Sequence, residues 1–323
     1  MSTSNIEHVA QELSAEGEDR DTEKRVKRRR SGKVYRAGER KKTVGGRIVA
    51  LFNNSIVNII LVIVAVMWLV PTVGLFVASF RSSQANSATG WWTVFQDVHQ
   101  LTVENYSSLL GNDAMMQSLL NTIIIVVPST LLVVAFGAMA GYALAWIDFP
   151  GRDWVLIGVV ALMAVPLQVA FIPLARLFGN IGIFGTYAAV IIFHVSFGLP
   201  FAVFLLRNYF TNISPELLEA ARIDGASEMR IFLRVALPLG MPAIASLAIF
   251  QFLWSWNDML VALIFAGPGS QPITVAIQSQ LRQFSSNMDI LSAGAFVSMV
   301  IPLLVYFAFQ KYFVNALMAG SSK

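Results

Sequence analysis

Cysteine is absent from this chain of 323 residues, and charged residues are scarce. The absence of cysteine excludes a disulfide framework, a thiolate zinc site and a cysteine nucleophile. The three histidines, His8, His99 and His194, lie far apart in the sequence and form no metal-ligand spacing. Charged residues make up 13% of the chain, against roughly 25% in ordinary soluble domains. With 56% hydrophobic residues and a mean hydropathy of +0.64, the composition indicates a membrane protein.

Long apolar runs are what the sequence has instead of charge. A helix needs about 20 apolar residues to cross the hydrocarbon core of a bilayer. Six such runs are present, at approximately residues 56–80, 118–146, 154–178, 187–206, 239–266 and 293–313. Each is predicted to be a helix, because lipid offers no hydrogen-bond partner to open backbone groups. The predicted fold class is therefore an all-α polytopic membrane protein with six transmembrane helices.

The lysines and arginines are distributed unevenly between the two sides of such a bundle. With the N-terminus in the cytoplasm, 20 of the 23 Lys and Arg residues fall on the inside. Because basic residues accumulate in cytoplasmic segments, the sequence predicts that both termini are cytoplasmic. It also places the polar segment between the fourth and fifth apolar runs inside.

The N-terminal region, residues 1–50, differs in kind from the membrane region, residues 51–323. Residues 1–23 carry seven acidic side chains, and a basic block follows at residues 24–33. A segment with so little apolar surface is predicted to be a disordered cytoplasmic tail. The basic block either enforces the topology or binds anionic membrane lipid. We expect no nucleic-acid partner, because the basic residues are concentrated at one end of the chain.

An aromatic cluster lies between the first and second apolar runs. It contains Trp91, Trp92, Phe95 and Tyr106. Trp and Tyr favour the membrane–water interface. The cluster is therefore either an interfacial anchor or a docking surface for an extracytoplasmic partner.

The polar segment at about residues 214–236 has the features of a helical hairpin. Ser214, Pro215 and Glu216 are typical of a helix start, with a capping residue, a proline in the first turn and an acid. Gly225 is able to adopt the left-handed conformation that ends a helix. Ser227 is then expected to begin a second helix that leads towards Pro238.

Such a hairpin either lies on the bilayer surface or docks into a soluble partner. Small side chains at Ala220 and Ala221 allow close approach of another protein. The neighbouring Glu219 carboxylate is able to pair with a basic or amide group there. These features favour docking.

At these residues the chain resembles the EAA signature of ABC importer permeases. The residues that carry the resemblance are Glu219-Ala220-Ala221, then Asp224-Gly225-Ala226, then Pro238 and Pro242. The Asp-Gly pair resembles the one found at this place in the carbohydrate branch of the family, of the maltose-permease type. Thr102-Val103-Glu104-Asn105-Tyr106 before the second run, Trp256-Asn257-Asp258 and the small residues Ala319-Gly320-Ser321 match the family as well. The resemblance covers roughly residues 50–323 and leaves out the charged tail.

The resemblance implies a non-catalytic transmembrane subunit of an ATP-driven sugar importer in the inner membrane of a bacterium. The implied partners are a second permease subunit, two ATPase subunits and an extracytoplasmic sugar-binding protein. The ATPases would grip the hairpin, called the coupling helix in the family, at Glu219, Ala220, Ala221, Asp224, Gly225 and Ala226. This chain itself is expected to bind no cofactor, and ATP would be used by the partner ATPases.

Polar groups inside the apolar runs are candidates for the substrate pathway. Asp258 is prominent, because an ionisable residue inside a span costs free energy and is presumed functional. It either lines the pathway or forms hydrogen bonds to neighbouring helices. Trp254 and Trp256 have flat faces that suit stacking on a sugar ring. Asn257, beside Asp258, is a further candidate. The weaker candidates, for which bonding between helices is the alternative, are Gln168, His194, Ser196 and Gln251.

Two other classes of membrane protein are weighed against this interpretation. Gly32-Lys33 lacks the glycine loop and following hydroxyl of a nucleotide site, so energy must come from another chain or from an ion gradient. A gradient-driven carrier of a small polar solute is the alternative, with Asp258 as its one intramembrane carboxylate. A membrane enzyme would need a catalytic constellation, and no such set is apparent in the apolar runs.

Overall fold

The computed structural model describes residues 44–283 and 288–321, and the side chains of residues 56–279 and 291–310. Residues 1–43 of the predicted tail lie outside the described residues, so its disorder stays a prediction. The chain divides into two compact units, Met1–Met67 and Trp68–Lys323. Of the first unit, the structure describes a helical segment whose residues from Ile56 onward are exposed.

Helices make up the described residues, together with turns and two isolated β-bridges. In chain order they are α1 (Val44–Ser79), α2 (Ser83–Ala88), α3 (Glu104–Leu110), α4 (Asp113–Trp146), α5 (Arg152–Met163), α6 (Phe171–Asn180), α7 (Tyr187–Phe210), α8 (Pro215–Ile223), α9 (Glu228–Ile231), α10 (Leu237–Asn257), α11 (Leu260–Phe265), α12 (Ile273–Gln283) and α13 (Met288–Ser321). Short 3-10 turns occur at Trp91–Phe95, Val98–Gln100 and Leu167–Ala170, and a π-helical turn at Phe232–Ala236.

Five described helical segments are long and apolar enough to cross a membrane, and a bent pair makes a sixth. The bent pair is α5 and α6, which meet at 95° where a single span at residues 154–178 was predicted. Pro166 explains the break, because it has no N–H to donate and disfavours a helical conformation at the preceding residue. With the pair counted as one span, the predicted number of six is confirmed.

The fifth predicted span, residues 239–266, has different bounds in the structure. The sequence predicts a second hairpin helix that leads towards Pro238 and a fifth span that begins at residue 239, but α9, the π-helical turn and α10 run on as one segment, Glu228–Asn257. Pro238 cannot donate to the preceding helical turn, and the wider π turn just before it absorbs this irregularity. The run then ends at Asn257, and α11 is a separate short helix.

Close packing of α4 against α7 forms the centre of the second unit. A Cβ atom on Gly137 would lie 2.7 Å from the Cβ of Ala202, and one on Gly141 would lie 2.9 Å from the backbone nitrogen of Arg207. Small residues of this kind let two membrane helices approach each other closely. Around this contact, the buried core includes Tyr142, Leu206, Phe210, Leu218 and Ile231.

A polar clamp holds the opposite end of the bundle together. The side-chain amide of Asn121 on α4 donates to the carbonyls of Gly269, at 3.2 Å, and Gln271, at 2.9 Å. The hydroxyl of Tyr187 on α7 donates to Asn121 Oδ1 at 2.7 Å. The backbone N–H of Ile273 donates to Thr122 Oγ1 at 2.9 Å. The connection between α11 and α12 is thereby fixed to both central spans.

Candidate functional site

The hairpin, residues 214–231, has the predicted order of helix, turn and helix. Pro215 occupies the first turn of α8, and Gly225 has a φ of 77°, which lies in the left-handed region. The Ser214 side chain does not cap the backbone as expected; its hydroxyl instead donates to the Glu216 carboxylate. Two α-helical segments thus meet at a tight turn that glycine accommodates without strain.

The hairpin presents one side to solvent and anchors the other in the bundle. The residues of the signature divide between these sides: Glu219, Ala220, Asp224 and Gly225 are exposed, whereas Ala221 and Ala226 are half-buried. Leu218 and Ile231 are completely buried. Ile223, at the end of α8, is 86% exposed. An exposed tip is therefore carried on a base that is part of the apolar core.

A hydrogen-bonded network connects the hairpin to α4. Glu228 Oε1 accepts from Arg222 Nε at 2.8 Å, and Glu228 Oε2 accepts from the Tyr142 hydroxyl at 2.7 Å. Arg222 Nη2 also donates to the backbone carbonyl of Trp146 at 3.4 Å. The hydrogen bond to Glu228 raises the pKa of Arg222 above its usual value, so the guanidinium stays charged.

A second polar cluster lies where α7 faces α10, and it brings together four of the predicted pathway residues. His194 Nε2 lies 3.7 Å from Asp258 Oδ2, and the imidazole meets the Trp254 ring edge-on with 5.8 Å between centroids. Gln251 and Trp254 line a pocket of about 270 Å³. The Nδ1 atom of His194 is buried without a hydrogen-bond partner among the described residues.

Asp258 lies at the end of a helix and not in its interior, one of the two places that the fifth apolar run allowed for it. It follows the last residue of α10, and its carboxylate accepts from the backbone N–H groups of Val261, at 3.1 Å, and Ala262, at 3.3 Å. These bonds satisfy donors that the first turn of α11 would otherwise leave open. The side chain is 15% exposed and therefore accessible as well as structural.

The other predicted pathway residues lie apart from this cluster. Trp256 is 1% exposed, and its indole N–H donates to the carbonyl of Ser298 on α13 at 2.9 Å, so its faces are not open for stacking. Asn257 is exposed and donates to the Leu253 carbonyl. Gln168 is exposed in the 3-10 turn between α5 and α6. The structure thus separates Trp256, Asn257 and Gln168 from the His194 cluster.

Sequence reasoning missed Tyr142 and the joint role of Arg222 and Glu228. A tyrosine near the end of an apolar run resembles an ordinary interfacial residue. The Arg222–Glu228 pair spans a turn, so it has neither helical nor strand spacing. One signal was available: opposite charges on the two sides of a predicted glycine turn favour a contact between the two arms.

Comparison with known proteins assigns the chain to a family. The family described as "Binding-protein-dependent transport system inner membrane component" matches residues 133–318. An osmoprotective compounds uptake permease protein of Synechocystis is 42% identical over 272 residues, 83% of this chain and 91% of that protein. An alpha-glucoside transport system permease protein of Rhizobium meliloti is 45% identical over 231 residues, 69% of this chain and 61% of that protein.

The fold has a counterpart among solved structures. A crystal structure of a bacterial ABC transporter involved in the import of the acidic polysaccharide alginate contains a chain that matches with a TM-score of 0.68. The match covers 84% of this chain and 98% of that chain, at 24% sequence identity. Its likeness supports the helical fold described above. By sequence and by fold, this chain belongs to the family of inner membrane components of binding-protein-dependent transport systems.

Proposed function

We propose that this chain is one of two membrane subunits of an ATP-driven sugar importer in a bacterial inner membrane, with both termini in the cytoplasm. Two ATPase subunits bind the hairpin from the cytoplasm, and an extracytoplasmic binding protein delivers the sugar. The family membership and the excess of basic residues on the hairpin side support this arrangement. Membership of this family also favours ATP as the energy source over the alternative of an ion gradient.

The observation that carries the proposal is the exposed hairpin tip on a buried base. Glu219, Ala220, Asp224 and Gly225 face solvent and meet the ATPase, while Ala221 and Ala226 pack the turn against the bundle. A cleft on the ATPase receives the narrow tip, and Glu219 pairs with a donor in that cleft. ATP is bound and hydrolysed in the ATPase subunits, and the spans of this chain change conformation in response.

An α-glucoside is the substrate class to test first. The relative from Rhizobium meliloti is named for alpha-glucoside transport, and it is 45% identical to this chain. In the proposed pathway, Trp254 offers its ring to the apolar face of a sugar, and Gln251 and His194 offer groups that bond to hydroxyls. The pocket of about 270 Å³ beside Gln251 and Trp254 is one wall of this pathway. The second permease subunit supplies the other wall.

Transport follows from a change in the packing of the spans around the substrate pathway. ATP-driven closure of the ATPases pulls the two hairpins together, and the spans rock between inward and outward states. The ligand shifts this equilibrium only by its differential affinity for the two states. Leu218 and Ile231 are buried in the core, so the base of the hairpin stays in contact with the spans around it when the tip is displaced.

The test is isolation of the complex from native membranes in mild detergent, with the subunits identified by mass. We expect an ATPase, a second permease and a binding protein. The complex is then placed in proteoliposomes, and uptake of maltose, trehalose and the non-sugar osmoprotectant glycine betaine is compared with and without ATP. ATP-dependent uptake of a sugar supports the proposal. Uptake of glycine betaine alone refutes the sugar class, and uptake that follows an ion gradient without ATP refutes the importer.

A further inference from the structure

One carboxylate joins three helices at the base of the hairpin. The two oxygens of Glu228 on α9 are used separately, Oε1 by Arg222 on α8 and Oε2 by Tyr142 on α4. The distances are 2.8 and 2.7 Å, which are short and typical of hydrogen bonds to a charged group. Because both oxygens are held, the carboxylate has one orientation, and so do the helices that share it.

The network reaches from the water-exposed hairpin into the interior of α4. Tyr142 is 3% exposed, and its ring packs against Phe232 with 5.3 Å between centroids and against Phe210 at 6.2 Å. Arg222 adds a second contact with α4 through the Trp146 carbonyl. The Trp146 indole in turn donates to the carbonyl of Phe210 on α7 at 2.8 Å. Both arms of the hairpin are thus bonded to α4, and Trp146 bonds α4 in turn to α7.

Stability alone does not account for this arrangement. The side chains of Arg222 and Glu228 are 36% and 42% exposed, and ion pairs with that degree of exposure contribute little to folding. The apolar anchors Leu218 and Ile231 already hold the hairpin to the bundle, but apolar contacts are non-directional. The directional hydrogen bonds of Glu228 fix the angle between the hairpin and α4.

We infer that Glu228 is a positioning residue that makes the hairpin and α4 move as one body, so that a force on the tip of α8 is transmitted to the substrate pathway. This inference rests on the proposed function, in which the ATPase supplies the force. Tyr142 completes the link on the side of the span, and Arg222 completes it on the side of the ATPase. Without the link, the hairpin turns on its apolar anchors while α4 lags behind.

The experiment compares Glu228→Gln and Tyr142→Phe with the parent complex in proteoliposomes. Tyr142→Phe removes one hydroxyl and leaves the packed ring in place. Tyr209→Phe is the matched control, since it removes a hydroxyl on α7 that donates to the Leu239 carbonyl at 3.2 Å, outside the network. ATP-dependent uptake of maltose, the rate of ATP hydrolysis and the amount of bound ATPase are measured for each complex.

We expect the maximal import rate to fall about two- to thirtyfold in both network variants, with more ATP hydrolysed per sugar. The KM for ATP and the amount of bound ATPase should stay at the parent values, because neither depends on the link. The double variant Arg222→Glu with Glu228→Arg restores the ion pair with its charges exchanged. Its import rate should lie between those of Glu228→Gln and the parent. Loss of bound ATPase in step with import, or import equal to that of Tyr209→Phe, overturns the inference.

Hydrogen–deuterium exchange of the full chain tests the link without relying on transport. Amide groups of residues 219–228 should exchange faster in Glu228→Gln and Tyr142→Phe than in the parent and in Tyr209→Phe. Equal exchange in all four overturns the link. A parent complex that lacks an ATPase or shows no ATP-dependent uptake contradicts the proposed function instead, and the exchange data then decide the link by themselves.

Discussion

The imidazole of His194 on α7 lies 3.7 Å from the carboxylate of Asp258, which follows the end of α10. The same carboxylate accepts from backbone N–H groups of α11. Asp258 therefore lies between the start of α11 and the His194 side chain of α7. Trp254 packs edge-on against the imidazole. The polar cluster of the proposed pathway therefore lies at the break between α10 and α11 and not in the middle of a helix.

Substitution of Asp258 separates its charge from its capping role. Asp258→Asn keeps an oxygen that accepts from the Val261 N–H, whereas Asp258→Ala removes it. We expect Asp258→Asn to assemble normally with reduced import. Asp258→Ala should lose about 0.5–2 kcal/mol of stability, the usual value of a helix cap. Thermal melting of the purified complex and uptake by proteoliposomes check both, and equal melting temperatures for the two variants would contradict the capping role.

Glu219→Gln tests the contact between the hairpin tip and the ATPase. The substitution keeps the size of the exposed side chain and removes its charge. We expect sugar-stimulated ATP hydrolysis and import to fall together, because loss of one partner of a buried charge pair costs about 2–5 kcal/mol. Glu216→Gln, in the first turn of the same helix, is the matched control. Parent-like hydrolysis and import in Glu219→Gln would remove Glu219 from the interface.

The left-handed turn at Gly225 predicts a difference between two substitutions. Its φ is 77°, and a Cβ there would meet nothing within 4 Å in this chain, so the effect on the chain by itself is one of conformation. Gly225→Ala should destabilise the turn by about 1–2 kcal/mol, whereas Gly225→Asn should be milder because asparagine adopts this conformation more readily. Import rates and hydrogen exchange across α8 are the measurements. An alanine variant that behaves like the asparagine variant would show that the turn tolerates a change of φ.

The contact of α4 with α7 predicts that Gly137→Ala is destabilising. The new Cβ would lie 2.7 Å from that of Ala202, so the helices have to separate. Overpacking of this kind costs about 1–3 kcal/mol. Gly158→Ala is the control, since a Cβ on Gly158 on α5 meets nothing within 4 Å. Melting temperatures in detergent should fall for Gly137→Ala and not for Gly158→Ala, and the reverse order would refute this packing.

The clamp at the end of the bundle away from the hairpin predicts that Asn121→Leu is destabilising. The substitution removes the donor of the Gln271 carbonyl and one of the two donors of the Gly269 carbonyl, and it leaves the Tyr187 hydroxyl with only its bond to Gly269. Each buried group left unpaired costs about 1–3 kcal/mol. Asn257→Leu is the comparison, because that amide is exposed and its hydrogen bond to the Leu253 carbonyl lies within its own helix. A similar melting temperature for both variants would show that the clamp contributes little.

The sequence by itself determined which segments are helices in the membrane and where the hairpin lies. Apolar runs of sufficient length predicted the spans, since lipid leaves the backbone no alternative to internal hydrogen bonds. Gly225 predicted the turn, since glycine adopts a positive φ without penalty. The family resemblance came from the same residues, and comparison with known proteins confirmed it.

Tertiary structure alone decided which side chains meet. The spans are apolar on nearly every side, so no polar stripe in the sequence marks the face that packs against a neighbour. For this reason Trp254 and Trp256 looked equivalent, although Trp254 adjoins His194 and Trp256 is buried against α13. The link from Glu228 to Tyr142 joins residues from distant parts of the chain, and such a contact depends on how α4 packs beside the hairpin.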